Sequence, residues 1–333
     1  MRFVVLKGVI VLTRLLITFI FIGSVSVLLQ GQEGIPRTAW GDPDLQGIWG
    51  AGYILTPLER PDEFDGREFL TDDEVAAIEG GAAGPGRDQR AEVGSVADVE
   101  GAYNDAYSGR GRSVIRTRRT SLIIDPPDGK IPYTPEGWAK REAEVAEFDR
   151  IRDRAHHPED QQDDRCEGIT LPIDYGSARV SGGHSRIVQS PGVVSFYHES
   201  GHQGGQYRDV ALDGRPHPPA HIRQWFGHSV GYWEGETLVV DATNFSHKTT
   251  FHGSHEELHI VERFTRMESD LLLYQVTIED PTTFSQPWTI EVPLNLLDNE
   301  MNQIYESACQ EGNYSMTQIL AGERELERQG RAR

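Results

Sequence analysis

The sequence has little cysteine, two residues in a chain of 333. Two thiols cannot form a structural zinc site without histidine ligands, and the chain has no C-x-x-C motif. In an oxidising compartment the pair, Cys166 and Cys309, most simply forms one disulfide. That disulfide would close a long loop and stabilise the fold by about 4–5 kcal/mol in the chain-entropy model. Two buried free thiols are the alternative.

Basic residues are also scarce, since 32 Lys and Arg stand against 52 Asp and Glu. Removing residues 1–31 would leave 29 basic and 52 acidic residues, a net charge of −23. A protein with this charge repels nucleic acid and anionic membranes, so neither is an expected partner. The sequence also lacks G-x-S-x-G, P-loop and G-x-G-x-x-G motifs, so nothing local indicates a serine hydrolase or a nucleotide-binding loop.

A long hydrophobic run occurs once, at the N-terminus. Leu15 to Leu29 contains no charged residue, and it follows the basic residues Arg2, Lys7 and Arg14. The run has 15 residues, which is short for a membrane span. The pattern therefore predicts a cleaved signal peptide over residues 1–31, with an uncleaved anchor as the alternative. We expect a secreted protein, periplasmic or extracellular, with no stable membrane span after cleavage.

Residues 32–118 are predicted to form an N-terminal arm, a short helix and a long loop. Pro and Gly are frequent in residues 32–60, where Trp40 and Trp49 would anchor an extended arm over a domain. An acidic first turn and a glycine stop predict a helix from Leu70 onward. The stretch after this helix is rich in Gly and Arg and is expected to be a loop.

Strand patterns dominate residues 119–333, which we predict to form one mainly β domain. Pro-Gly, Asp-Gly and Glu-Gly turns separate the β-rich segments, as in sequential hairpins. About eight or nine such strands favour an antiparallel, calycin-like barrel or half-barrel. Thr134 and Pro135 predict the start of an inserted helix that ends near residue 155. A further helix is expected at the C-terminus.

The stretch His255 to His259 matches the zinc motif H-E-x-x-H. On a helix its two histidines would bind zinc, and Glu256 would act as general base. From Leu258 onward, however, the residues alternate like a strand and lead through a turn into a second strand. We therefore interpret the motif as a loop that enters a strand, which loses the helical spacing that zinc binding requires.

A less regular metal site stays open as an alternative. Nine of the 12 histidines lie between His198 and His259, and strand histidines can converge on a metal in barrels. The ligands would be His198, His202 and His259. Without such a metal, we expect no cofactor.

Polar residues on apolar strand faces are the strongest site candidates. His198, Arg208 and Glu262 each alternate in phase with large apolar residues, so we expect them to face the barrel interior. There a carboxylate either pairs with a cation or holds a proton. We predict His198, Glu262 and His259 as catalytic. The predicted ligand-binding residues are Arg208, His202, Glu199, His217, Trp225, His228 and Tyr274. A purely structural network is the alternative.

Several distinctive sequence motifs are spread over most of the chain, from about Gly41 to Gly322. They include PDLQGIW, RTSLIIDPPDGKIPYTPE, RCEG, LDGRPH, YWEGETLVVDATNF and LHIVERF. In these phrases the chain resembles an uncharacterised family of exported bacterial proteins. The resemblance implies that the two cysteines, the His198-Glu199 pair and the LHIVERF strand are typical of the family. It implies that the full H-E-x-x-H is incidental, and it implies no reaction.

These patterns predict an exported enzyme that binds a small organic ligand in a β-barrel cavity. Its His and Glu side chains would perform acid–base chemistry of a lyase, isomerase or hydrolase type. Two alternatives stay open. The first is a non-catalytic periplasmic carrier of a small ligand, and the second is a His-ligated, metal-dependent hydrolase or lyase.

Overall fold

The structure is a computed structural model that describes residues 35–51, 53–82, 95, 112–152, 184–198, 206–300, 304 and 314–331. Several predictions fall outside these ranges. They concern the signal peptide, the disulfide between Cys166 and Cys309, and the ligand residues Glu199 and His202. All of these therefore stay predictions.

The described residues form twelve strands and three α-helices. The strands are β1 (Gly47–Gly50), β2 (Tyr53–Ile54), β3 (Arg112–Ser113), β4 (Ile123–Asp125), β5 (Ser185–Ser190), β6 (Val193–His198), β7 (Gln206–Ala211), β8 (His228–Glu234), β9 (Thr237–Thr243), β10 (His259–Glu268), β11 (Leu271–Glu279) and β12 (Trp288–Leu296). The helices are α1 (Asp72–Ala82), α2 (Pro135–Arg152) and α3 (Ser315–Arg328), with a 3-10 turn at Asp62–Phe64.

Nine of these strands close into a barrel, which confirms the predicted mainly β barrel. Neighbouring strands follow the order β1-β5-β6-β7-β8-β9-β10-β11-β12, and β12 pairs back with β1. The closing pair places Trp49 opposite Leu296. Outside the barrel, β4 lies beside β12, and β2 pairs with β3. The assignment to the calycin type stays a prediction.

The pairing of β7 with β8 departs from the predicted antiparallel meander. These strands run parallel and share the residue pair Ala211–Val230. The cause is the connection between them, because parallel strands require a crossover rather than a tight turn. Residues 212–227 form that crossover and include Pro216, Pro218 and Pro219. A single residue pair joins β7 and β8, the fewest of any neighbouring strands described in the barrel.

Side chains from alternate positions of the strands fill the barrel interior. Successive side chains of a strand point to opposite faces, so every second residue faces inward. In β10 and β11 these positions are buried and the intervening ones are partly exposed. The largest fully buried side chains, which include Trp288, Tyr274, Phe245 and Phe264, belong to this core.

Residues 43–50 include β1, the strand that completes the barrel wall between β5 and β12. Trp49 is fully buried, and its Nε1 donates to the carbonyl of Leu45 at 2.8 Å. Gln189 of β5 accepts from the Leu45 amide at 2.6 Å and donates to the Pro43 carbonyl at 3.0 Å. Residues expected to lie over the barrel thus supply one of its strands. Of the two predicted anchors, Trp49 is buried and Trp40 is 40% exposed.

Helix α2 and the H-E-x-x-H stretch have the secondary structure that the sequence predicts. Thr134 precedes α2, and its hydroxyl accepts from the Gly137 amide at 2.9 Å, which confirms the predicted N-cap. His255 lies in a loop and His259 begins β10, so the motif is a loop that enters a strand, as predicted. The His255 ring contacts Glu144 of α2 at 2.5 Å. None of the described helices is long and apolar enough to cross a membrane.

Candidate functional site

An ion pair lies inside the barrel, between Arg208 of β7 and Glu262 of β10. The guanidinium donates to both carboxylate oxygens, with Nη2 to Oε1 at 3.1 Å, and Tyr274 donates to Oε1 at 3.1 Å. The side chain of Glu262 is fully buried, and the guanidinium also packs on the Phe196 ring at 4.9 Å. The structure thus brings Arg208, Glu262 and Tyr274 together. Both carboxylate oxygens of Glu262 are therefore already engaged in hydrogen bonds.

His198 belongs to the same interior cluster. Its Nδ1 lies 2.7 Å from the Ser185 hydroxyl, and its Nε2 is buried without a hydrogen-bond partner among the described residues. Burial, followed by the positive charge of Arg208 and by His184, lowers the pKa of His198 to about 4. The imidazole is therefore neutral at pH 7, and it can serve as a hydrogen-bonding group but only as a weak base.

His259, the third residue predicted as catalytic, faces the outside of the barrel. It lies three residues from Glu262, and residues at an odd spacing in a strand point to opposite faces. The structure therefore does not bring His259 together with His198 and Glu262. The predicted metal ligands His198 and His259 are also on opposite faces of the barrel wall, because His198 faces inward. Within the described ranges, no group of three or more His, Cys, Asp or Glu side chains could hold a metal ion.

A chain of hydrogen bonds runs along the outer surface at one end of neighbouring strands. We call it the outer relay, and its members are His228, His217, Asp241, His259 and Glu279. Register explains the assembly: Asp241 pairs with Val230 and Val261, each two residues from a histidine of the relay. Same-face residues at that diagonal spacing are within reach of each other. His217 reaches the same place from the crossover.

The hydrogen bonds of the outer relay form a continuous chain. His217 Nδ1 lies 2.9 Å from His228 Nδ1, and its Nε2 lies 2.9 Å from Asp241 Oδ1. His259 contacts Asp241 Oδ2 at 3.1 Å and Glu279 Oε2 at 3.2 Å. Asn244 holds the crossover in position, since its Nδ2 donates to the carbonyls of Pro218, Pro219 and Ile222 at 2.9–3.2 Å.

These contacts determine the protonation states that the relay can adopt. The Asp241 carboxylate only accepts, so Nε2 of His217 must carry a hydrogen and donate. When His217 is neutral, its Nδ1 then accepts from His228 Nδ1, and Nε2 of His228 is left as a free base. When His217 is protonated, the direction reverses and Nε2 of His228 carries a proton. The pair can therefore exchange one proton with a bound molecule.

Three pKa shifts follow from this arrangement. Burial, followed by His217 and Arg215, lowers the pKa of His228, which favours its neutral form. The hydrogen bond from His259 lowers the pKa of Asp241, although partial burial opposes the shift. The hydrogen bond to Asp241 raises the pKa of His259 to about 9 against the effect of burial, and Glu279 adds to the increase.

The raised pKa of His259 predicts a loss of stability at alkaline pH. Protonated His259 stabilises the fold fully below its unfolded pKa of about 6.5, and this contribution is lost as the pH rises through about 9. Because the side chain is 35% exposed, solvent screening reduces the effect to about 1–2 kcal/mol. Urea denaturation from pH 6 to 10 should show this loss in the wild type and not in His259→Gln.

The matched control for this prediction is His247→Gln, because His247 is exposed. This variant should follow the wild-type pH profile. If the wild type and His259→Gln instead change in parallel between pH 6 and 10, His259 does not form the ion pairs of the outer relay in solution.

A cleft of about 620 Å³ adjoins the outer relay at His228. It is lined by residues of β7, of β8 and of the crossover between them, and we call it the β7/β8 cleft. Outward-facing residues of β7 and inward-facing residues of both strands contribute to its lining. The lining residues are Val193, Tyr207, Arg208, Asp209, Ala211, Arg215, Gln224, Trp225, Phe226, Gly227, His228 and Ser229.

The predicted ligand residues divide between two places. Arg208, Trp225 and His228 line the β7/β8 cleft, and His217 reaches it through its hydrogen bond to His228. Tyr274 belongs to the interior cluster. Sequence reasoning missed Asp241, which lies near the end of a strand where a carboxylate usually caps a turn. Its outward position near the end of β9, opposite the start of β10, could have indicated that it lies close to His259.

Comparison with models of known protein families gives no match, and comparison with curated proteins gives no significant match. The family resemblance of the sequence phrases therefore stays a prediction.

Proposed function

We propose that the protein is an exported enzyme that binds a small organic molecule in the β7/β8 cleft and exchanges a proton with it through His228. The observation that carries this proposal is the hydrogen-bonded chain from His228, which lines the cleft, through His217 to Asp241. A histidine supported in this way is a common general acid–base group. Export is supported by the basic and apolar pattern of residues 1–31.

The proposed proton transfer uses three residues of the outer relay. His228 Nε2 accepts a proton from the bound molecule or from water, while its Nδ1 proton passes to His217 Nδ1. Asp241 then accepts a hydrogen bond from the His217 imidazolium and stabilises its charge. The reverse sequence returns the proton through His228 to a leaving or rearranged group. No residue has to move, because the donors and acceptors are already within 2.9 Å of each other.

The test of this proposal compares His228→Gln with the wild type. Both proteins are incubated in D₂O with a panel of neutral aryl esters, lactones and aryl ketones, and proton NMR follows hydrolysis and deuterium uptake. We expect turnover of at least one compound by the wild type. The variant should be at least about 100-fold slower, since a positioned acid–base group contributes that much. Circular dichroism checks that the variant is folded.

The matched control is His221→Gln, which changes an exposed histidine in the same crossover and should leave turnover unchanged. Equal turnover by the wild type and His228→Gln would remove His228 from the mechanism. Saturable binding by the wild type without turnover would favour the non-catalytic carrier instead.

A further inference from the structure

Three residues that line the β7/β8 cleft carry polar atoms that nothing in the described chain satisfies. Arg208 Nε, Trp225 Nε1 and Ser229 Oγ are buried and have no hydrogen-bond partner among the described residues. All three residues line the cleft, and Arg208 and Ser229 are no more than 9% exposed. Two of the atoms are N–H groups that can only donate, and the hydroxyl can also donate. A molecule with an acceptor oxygen could satisfy them.

The charges around the cleft are already offset. Arg208 is paired with Glu262 inside the barrel, and Arg215 is paired with Asp213 at 2.5 Å. The cleft also contains the Asp209 carboxylate, which accepts from Ser195 at 2.5 Å. An anionic ligand would therefore meet no unpaired cation among these groups and would lie near an additional negative charge. The electrostatics favour an uncharged acceptor.

Aromatic rings form much of the remaining wall. Trp225 and Phe226 line the cleft together with Tyr207, which is 77% exposed. The Tyr207 ring is supported from one side by Tyr197, with the ring centroids 4.5 Å apart. Exposed aromatic side chains favour flat ligands, because rings attract each other in offset or edge-to-face contacts.

We propose that the β7/β8 cleft takes a neutral aromatic ligand with a carbonyl oxygen, such as an aryl ester or aryl ketone. Its ring would pack on Tyr207, Trp225 and Phe226, and its oxygen would accept hydrogen bonds from the unsatisfied donors. This inference rests on the proposed function, because it names the ligand class of the same cleft. The donors would also stabilise negative charge that develops on the oxygen when His228 moves a proton.

The test measures binding rather than turnover, with three monosubstituted benzenes of similar size. Methyl benzoate carries the neutral carbonyl, benzoate carries a charge, and ethylbenzene has no acceptor. Dissociation constants are measured by NMR titration with ¹⁵N-labelled protein. Methyl benzoate should bind at least about tenfold more tightly than either other compound. The indole N–H signal of Trp225 should move downfield with methyl benzoate and not with ethylbenzene.

Variants of the donors separate hydrogen bonding from apolar contact. Trp225→Phe keeps an aromatic ring and removes the N–H, and Ser229→Ala removes the hydroxyl. Each should weaken methyl benzoate binding by about three- to tenfold more than it weakens ethylbenzene binding, because only the ester loses a hydrogen bond. Trp138→Phe is the matched control, because Trp138 is 50% exposed on α2 and should have no effect.

Each other outcome overturns the inference. Tighter binding of benzoate would indicate an anion site, and equal binding of ethylbenzene would indicate an apolar cleft. No binding of any compound would leave the proposed ligand class without support and refute it. The proposed function fails separately, if methyl benzoate binds as expected and no compound of the panel is turned over. Turnover of another class of compound through His228 would refute the proposed ligand class. The proposal that the protein is an enzyme would still hold.

Discussion

Replacing Glu262 with Gln should lower the free energy of unfolding by about 3–5 kcal/mol, as expected when one partner of a buried ion pair is removed. The change leaves the Arg208 guanidinium without its counter-ion in a site where its side chain is 8% exposed. It also weakens the hydrogen bond that Tyr274 donates to the carboxylate. Urea denaturation at pH 7 measures the loss, with circular dichroism as the signal.

The control is Glu234→Gln, which breaks an ion pair on the outside of the barrel. Glu234 contacts Arg263 of β10, and their side chains are 57% and 36% exposed. Exposed pairs contribute at most about 1 kcal/mol, so this variant should be close to the wild type. If Glu262→Gln costs no more than Glu234→Gln, the interior ion pair does not form. Glu262 would then be available for the catalytic role that the sequence predicts.

A double substitution separates the effect of the paired charges on stability from the effect of the side-chain volume. Arg208→Met combined with Glu262→Met removes both charges and keeps two long side chains. Replacing a buried pair by apolar residues of similar size is often neutral or stabilising, so the double variant should recover most of the loss. Because Arg208 lines the β7/β8 cleft, the same variant should also bind methyl benzoate more weakly.

Alternation along single strands predicted the interior cluster. A period of two places Glu262 with Ile260 and Phe264, and this holds wherever β10 lies in the sheet. The same period showed that H-E-x-x-H enters a strand. Alternation could not identify the partner of Glu262, because Arg208 is 54 residues away and meets it across the barrel. Partners across a barrel depend on strand order, which a local pattern does not contain.

The outer relay was harder to predict for the same reason. His228, Asp241 and His259 lie on three strands, and their register brings them to one end of the barrel. Each was visible in the sequence as an isolated polar residue. The parallel pairing of β7 and β8 was also missed, since turn signals predict hairpins and contain no information on crossovers. Arg208, Trp225 and His228, which line the β7/β8 cleft, were predicted to bind the ligand, but the strand pairing that brings them together was not.

Replacing Trp49 with Ala should lower the free energy of unfolding by about 3–5 kcal/mol, a typical cost for removing a buried tryptophan. Trp49 is fully buried where β1 joins β12 and closes the barrel. The substitution also removes the hydrogen bond to Leu45 and the ring on which the Arg266 guanidinium packs at 5.3 Å. Urea denaturation and native-state hydrogen exchange of β1 and β12 measure the effect.

The control for this prediction lies nine residues earlier, at Trp40. Its ring is 40% exposed and its Nε1 donates to Asp42 at 2.9 Å, so Trp40→Ala should cost less than about 1 kcal/mol. An arm that only lay over the barrel would give both tryptophans small and similar effects. A large difference between them would show that residues 43–50 are part of the barrel, and that the protein needs this segment to fold. Similar, small losses in both variants would contradict the closing role of β1.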